Sequence, residues 1–322
     1  MKRNVLVVGG AGYIGGCVTD HLLARKVPFT VYDNLTYENH YLKPVEFIYG
    51  DVRDSKLLVR MLPSFSHIVW LAAIVGDPAC EIKPDLTRAV NQDTLKWLAS
   101  HFNGRILFTS TCSVYGLNTE PVSESSPNHP LSLYAKTKLE AEKYLAGKNA
   151  LIFRLGTAYG LGDVFSRIRM DLAVNYMTMN AVIKKQLTIY GGKQWRPFIH
   201  VQDIGRIIAD TLFTNHRGIY NLATENRSIL DIATLIQEAT ECKLIHTGEK
   251  FQDDRNYRAV VMKAQSDGIL IKKGYLSVRH GIQEIKKLVL SNRIKNLDHE
   301  YYSNQRYLLQ AIEQYEKGFH IT

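Results

Sequence analysis

Residues 1–15 read MKRNVLVVGGAGYIG. Four apolar residues, Val5-Leu6-Val7-Val8, run straight into Gly9-Gly10-Ala11-Gly12-Tyr13-Ile14-Gly15. A short apolar run closed by glycines suits a fully buried parallel strand. Beyond Gly15 the spacing turns helical, with Val18, Leu22 and Leu23 expected on one face. Gly9 then allows a tight turn, Gly12 lets backbone approach a pyrophosphate, and Gly15 lets helix and strand pack closely. The free N–H groups and positive dipole end of the helix suit phosphate.

An ordinary glycine turn is the alternative, and context decides against it. A strand precedes the glycines, a helix follows, and the next strand, Phe29-Thr30-Val31-Tyr32, ends in Asp33. A carboxylate at that tip hydrogen-bonds an adenosine 2′-hydroxyl and repels a 2′-phosphate. No arginine stands between Asp33 and Arg53. The expected cofactor is NAD rather than NADP.

The chain has 322 residues, enough for one large α/β domain and a smaller one. No apolar stretch approaches transmembrane length, so no membrane partner is expected. Met1-Lys2-Arg3 before an apolar run resembles the start of a signal peptide, but Gly9 and Asp20-His21 break it, and the expected compartment is the cytosol. The four cysteines, Cys17, Cys80, Cys112 and Cys242, form no CxxC pair and no zinc spacing; they read as core or near-site thiols. A net charge of +9 raises nucleic acid as a partner. The excess is spread over residues 1–150, 151–239 and 240–322 with no basic run, so a solvated surface is the better reading.

Further apolar runs follow at regular spacing: Val45–Tyr49 before Gly50-Asp51-Val52-Arg53, His67–Ala73, Arg105–Thr109 before Ser110–Gly116, and Ala150–Phe153 before Arg154-Leu155-Gly156. Helices are expected between them, one from about Leu86 to Phe102 and one starting near Ser132. Strands alternating with helices predict a doubly wound parallel sheet of Rossmann type, with ligands at the carboxyl ends of the strands. Beyond Gly160 the expectation is a smaller mixed α/β domain over the cleft, with helices over 172–183, 203–213 and 228–240 and short strands at 187–190 and 218–221. A helical stretch is expected from about 282 to 318, with Asp298 as a cap before its Tyr-rich end. The expected domains are 1–160, rejoined by parts of 187–225, for the dinucleotide, 161–290 for substrate, and a helical extension over 291–322.

Tyr134-Ala135-Lys136-Thr137-Lys138 contains Tyr-x-x-x-Lys, which puts both side chains on one helix face. An ammonium there stabilises phenolate and lowers the tyrosine pKa, as a general base near neutrality needs. Tyr144-Leu145-Ala146-Gly147-Lys148 matches too, but beside a glycine at a helix end. Tyr134 begins its helix some two dozen residues after the hydroxyl cluster at 110–113, and position selects it.

These pieces together resemble the extended short-chain dehydrogenase/reductase family, the nucleotide-sugar epimerases and dehydratases. The matching segments are GGAGYIG (9–15), YDN (32–34), GDVRD (50–54), LAA (71–73), STCSVYG (110–116), Tyr134 with Lys138, and RPFIHVQD (196–203), in family order over about two thirds of the chain. The resemblance implies Thr111, Tyr134 and Lys138 as the catalytic set. It implies cofactor contacts at Gly9, Gly12, Tyr13, Ile14, Gly15, Asp33, Asn34, Asp51, Val52, Leu71, Ala72, Ala73 and Asn91, shared with Tyr134 and Lys138. For a nucleotide-diphosphate sugar it implies Arg169, Asp171 and Asn175 in one loop, Arg196 and His200 in a second, and Arg255 in Asp254-Arg255-Asn256-Tyr257. Surface ion pairing is the alternative for Arg196 and Arg255, and a structural histidine for His200.

The implied activity is oxidation or epimerisation at C4 of the sugar; a 4-dehydrogenase or 4-ketoreductase that releases its product is the first alternative. A non-catalytic NAD- or RNA-binding protein of the same fold is the second. Related dehydratases carry an Asp-Glu pair directly after the catalytic threonine, where this chain has Cys112 and Ser113, so 4,6-dehydration is not expected. The family's usual homodimer implies an interface from the helix near Leu86–Phe102 and the one starting at Tyr134. There Val90, Leu95, Trp97, Leu98 and Phe102 serve either that contact or the core.

Overall fold

The computed structural model describes residues 4–38, 40–247, 255–271, 273–293, 296 and 299–316. Asp254 and Asp298 lie outside the described residues. Among the described residues the strands are β1 (Val5–Val8), β2 (Phe29–Asp33), β3 (Glu46–Tyr49), β4 (His67–Trp70), β5 (Arg105–Thr111), β6 (Ala150–Leu155), β7 (Thr157–Tyr159), β8 (Gln186–Tyr190), β9 (Trp195–His200), β10 (Gly218–Leu222), β11 (Glu225–Ser228) and β12 (Lys243–Thr247). The helices are α1 (Tyr13–Ala24), α2 (Ser55–Met61), α3 (Asp77–Cys80), α4 (Pro84–Arg88), α5 (Thr94–His101), α6 (Leu133–Leu145), α7 (Ala173–Lys184), α8 (Val201–Thr211), α9 (Ile229–Thr240), α10 (Met262–Ser266), α11 (Val278–Leu290) and α12 (Asn304–Glu316). None of them is long and apolar enough to cross a membrane.

Seven parallel strands make the main sheet in the order β3-β2-β1-β4-β5-β6-β10. This is a Rossmann-like α/β fold. The order reverses between β1 and β4, where open α/β sheets bind ligands. Successive side chains of β1 alternate faces. Val5 and Val7 join Val18, Leu22 and the α8 residues Ile204 and Ile208 on one side. Leu6 and Val8 join Leu58, Leu95, Leu98 and Leu145 on the other. Both faces are therefore covered, which is why β1 is apolar at every position. Two smaller sheets, β11-β9-β7 and β12-β8, complete the fold, and residues of β7, β8 and β9 reach the cavity at the carboxyl ends.

Several expected boundaries shift. Leu23 is exposed, whereas Val18 and Leu22 are buried; α1 meets the sheet along a narrower stripe than its spacing suggested. β4 stops at Trp70 rather than running to Ala73, because Leu71 and Ala72 both donate to the Val8 carbonyl, at 2.8 and 3.1 Å, as the chain peels away. The expected helix over 86–102 is broken by a widened π turn at Ala89–Asp93 between α4 and α5. The expected helix over 282–318 is two helices, α11 and α12, separated by a break. Of the apolar residues with a possible interface role, Leu95, Leu98 and Phe102 are buried in the core, and Val90 and Trp97 are partly buried.

Candidate active site

The carboxyl ends of β1, β2, β4 and β5 open into a cavity of about 990 Å³. At the β1 tip Gly9 has φ +81°, and a Cβ there would lie 2.5 Å from the Ala72 nitrogen. A Cβ on Gly15 would lie 2.4 Å from the Gly9 oxygen. Gly12, the N-cap of α1, instead opens outward, its nearest neighbour for an added Cβ being the Gly9 oxygen at 3.6 Å. A side chain there would fill the cradle in which the first amides of α1, unused within the helix, meet the cavity. The groove therefore fits a pyrophosphate.

Asp33 stands beside it. Its Oδ2 accepts from the Ala11 amide at 3.1 Å and its Oδ1 from the Leu35 amide at 2.8 Å. Burial raises its pKa and those two amides oppose the rise. Next to it Asn34 Nδ2 donates to Asp51 Oδ2 at 3.1 Å, and Arg53 clasps the same carboxylate at 2.7 Å. Although burial pushes Asp51 up, the Arg53 hydrogen bonds and charge leave it lowered. Tyr13, Ile14, Val52, Leu71, Ala72 and Ala73 complete this wall.

At the other end Thr111 closes β5, and its Oγ1 accepts from the Ser113 amide at 3.1 Å. Ser132 caps α6 by accepting from the Ala135 amide at 3.2 Å, which fixes Tyr134 and Lys138 on the cavity side. Lys138 Nζ donates to the Thr109 carbonyl at 2.9 Å and lies 4.7 Å from the Phe108 ring centroid. Burial lowers its pKa to about 8. The expected lowering of the Tyr134 phenol by this ammonium is not what the geometry gives. Burial raises Tyr134, Cys80 and Asp77 add to the rise, and the charge that opposes it is that of Arg169; the ammonium is drawn instead to the β5 carbonyl. Behind Thr111, Ser110 Oγ donates to the Glu142 carboxylate, which pairs with Arg154 at 2.7 Å with both side chains buried.

Cys112 is fully buried, its thiol aimed at the Arg154 carbonyl at 3.2 Å, and burial raises its pKa. Ser113 faces the cavity, with Oγ 3.2 Å from the Tyr257 hydroxyl. The Arg196 guanidinium lies 5.5 Å from the Tyr257 ring centroid and donates to the Trp195 and Arg255 carbonyls. Arg255 Nη1 meets Asp77 Oδ2 at 2.7 Å inside the cavity, and the second Asp77 oxygen, buried, has no hydrogen-bond partner among the described residues. Arg169 lies 5.6 Å from the Tyr13 ring centroid and bonds Asp171 at 3.0 Å.

Three expected ligand residues stand behind the wall instead. Asn91 takes the Ile74 N–H at 2.8 Å and gives to the Ile74 carbonyl at 2.9 Å, pinning the chain after β4. Asn175 accepts from the Gly160 N–H and donates to the Gly160 and Arg169 carbonyls, shaping the loop rather than facing the cavity. His200 is fully buried; its Nδ1 caps α8 through the Gln202 amide at 3.2 Å, and its Nε2 lies 2.8 Å from Glu284. That is the structural alternative for this histidine. Tyr144 packs against the core and Lys148 follows the end of α6, both away from the cavity.

The cavity also takes residues for which the sequence carried no motif: Tyr37 and Glu38 after β2, Met177 and Asn180 of α7, and Tyr302 to Arg306 from the last described segment. Burial raises the Glu38 carboxyl to about 8.

A sequence model described as the NAD dependent epimerase/dehydratase family matches residues 5–223. The chain is 35% identical over 208 residues to an N-acetyl-alpha-D-glucosaminyl-diphospho-ditrans,octacis-undecaprenol 4-epimerase of Escherichia coli O157:H7, covering 60% of this chain and 61% of that protein. It is 30% identical over 235 residues to UDP-glucuronate 4-epimerase 1 of Arabidopsis thaliana, covering 62% of this chain and 53% of that protein. The chain thus spans between half and two thirds of the length of these curated relatives. The structure is similar to UDP-glucose 4-epimerase of Thermus thermophilus in complex with NAD, with a TM-score of 0.74 and 26% identity over 88% of this chain and 99% of that one.

Proposed function

The chain belongs to the NAD dependent epimerase/dehydratase family, and from that premise we propose that it acts at C4 of a nucleotide-diphosphate sugar, with Tyr134 as general base. Its cofactor is NAD, which when bound supplies the hydride acceptor. Oxidation of a C4 carbinol must remove the hydroxyl proton as well as the hydride. Tyr134 takes that proton and Thr111 Oγ1 hydrogen-bonds the same oxygen, while the Lys138 ammonium, held on the Thr109 carbonyl, supplies positive charge on the same wall of the cavity. Arg169, Arg196 and Arg255 line the remainder of the cavity and suit a diphosphate. Epimerisation, in which the ketone is reduced again on its other face, is the reading favoured here; release of the ketone would make the same site a dehydrogenase.

The observation that carries the proposal is the convergence of Thr111, Tyr134 and Lys138 on the cavity that begins at Gly12. A non-catalytic binder has no use for that set. The placement of Cys112 and Ser113 speaks against dehydration. The thiol points into the core with its pKa raised by burial, and a serine hydroxyl is a poor base without an activating neighbour. The test is product mass after incubation with candidate nucleotide sugars. Unchanged mass with an altered C4 supports epimerisation, and loss of two hydrogens supports release of the ketone. Loss of water would overturn the reading.

We also propose a homodimer through α5 and α6, where Trp97 stacks on His101 with centroids 4.4 Å apart and Leu95 and Leu98 already serve the core. A monomeric mass in sedimentation equilibrium at micromolar concentration would rule it out.

A further inference from the structure

We propose that the segment 299–312 is a built part of the cofactor site, and that Asn304 is the positioning residue that clasps it across the groove and holds the dinucleotide in. The inference rests on the reading of the groove as the NAD site. The segment lies beyond residues 5–223, which the family model matches.

Asn304 is buried, and its polar atoms reach two loops that face each other. Its Nδ2 donates to the Val75 carbonyl at 3.1 Å, in the loop that follows β4. Its backbone amide donates to Asp171 Oδ2 at 2.8 Å, and its Oδ1 accepts from the Arg167 guanidinium, both in the loop before α7. Neighbouring bonds run in the same direction. The Tyr302 carbonyl accepts from the Met170 amide at 3.0 Å, and the Tyr301 carbonyl accepts from Arg167.

The apolar anchor lies one turn further on. Leu308 is buried among Ile74, Ala79 and Cys80 of the chain after β4 and Leu133 of α6. Around Arg167 the rings of Tyr37, Tyr301 and Tyr307 stand with centroids 5.3 to 5.9 Å from the guanidinium carbon. A cation faced by aromatic rings is favoured electrostatically. The segment therefore grips loops and not the sheet, and Ser303, Asn304, Gln305 and Arg306 form part of the cavity wall itself. Without this bridge the β4 loop and the 167–171 loop share no bond through Asn304, and the groove between them widens. A bound dinucleotide then leaves faster, while its route in is no narrower.

The test is the release rate of NAD from the full-length protein, measured by rapid mixing with excess competing nucleotide. It is run on wild type, Asn304→Ala, Leu308→Ala and the control Leu309→Ala, whose side chain is exposed. Release should quicken by roughly tenfold in Asn304→Ala, the factor given by about one hydrogen bond's worth of retention, and should quicken also in Leu308→Ala, which loses the apolar anchor. The control should match wild type, and association rates should not fall in any variant. The melting temperature without nucleotide separates a clasp from a general loosening. Wild-type release in both Asn304→Ala and Leu308→Ala overturns the inference, as does equal quickening in Leu309→Ala. A wild-type protein that binds no NAD would defeat the reading of the groove, and the clasp with it.

Discussion

Lys138 Nζ donates to the Thr109 carbonyl oxygen at 2.9 Å, so the ammonium expected to tune Tyr134 is anchored on the strand that carries Thr111. Burial brings this lysine down to about 8, from an ordinary value of about 10.4. Below pH 8 it carries its charge; above that it goes neutral and the cavity loses that positive field. We expect kcat/KM to fall above about pH 8, and Lys138→Arg, whose guanidinium stays charged, to move that alkaline limb upward in whatever activity it retains. The sign for stability is opposite in pH. The depressed folded value means the buried charge costs stability below pH 8, and the cost fades as pH rises from about 8 towards 10.4. Lys138→Met should therefore gain stability at pH 7 relative to pH 10. An alkaline limb unmoved by Lys138→Arg would detach this residue from the reaction.

Glu142 and Arg154 form an ion pair at 2.7 Å with both side chains 2% exposed. Breaking one partner of such a pair leaves a buried charge without compensation. Glu142→Ala should cost about 3–5 kcal/mol in denaturant unfolding, and Ser110 would lose its acceptor at the same time. A loss under about 1 kcal/mol would mean that water enters to solvate Arg154, contrary to its burial.

Asp33 is the residue proposed to set the choice of dinucleotide. Its carboxylate is held by the Ala11 and Leu35 amides, and Arg53, the arginine on the same side of the cavity, is engaged by Asp51 at 2.7 Å. A 2′-phosphate therefore meets a fixed negative charge. Replacing it by Asp33→Ser should raise the ratio of NADP to NAD affinity by at least about tenfold, the factor for 1.4 kcal/mol of removed repulsion, as read by competition binding. An unchanged ratio would place the selectivity elsewhere.

Much of this was legible in the sequence because it depends on local pattern. The glycines at 9, 12 and 15, the acid at the tip of β2 and the apolar β1 each have one physical use in a doubly wound sheet. The start of α6 near Ser132 and the choice of Tyr134 over Tyr144 followed from sequence order. What was not legible depends on long-range partners. Nothing local distinguishes a histidine that meets a sugar from His200, which caps α8 and meets Glu284 84 residues away. Asn91 and Asn175 carry the right chemistry, yet spend it on the backbone of Ile74 and Gly160. The π turn at 89–93 and the division of the last helical stretch into α11 and α12 left no mark in the helical spacing. The Tyr-rich end of the chain was visible, but its docking over the cavity depends on Val75 and Arg167, 229 and 137 residues away from Asn304.

Tyr134 is proposed to drive NAD-dependent oxidation at C4. The most direct measurement mixes the NAD-loaded protein rapidly with saturating nucleotide sugar and follows the near-ultraviolet absorbance of reduced nicotinamide in a single turnover, for wild type, Tyr134→Phe and Tyr144→Phe. A rise is expected in wild type and in Tyr144→Phe. In Tyr134→Phe the expected rate is lower by about a hundred- to ten-thousandfold, the usual cost of losing a general base, with NAD affinity retained. Reduction at the wild-type rate in Tyr134→Phe, or equal losses in both variants, would contradict that role.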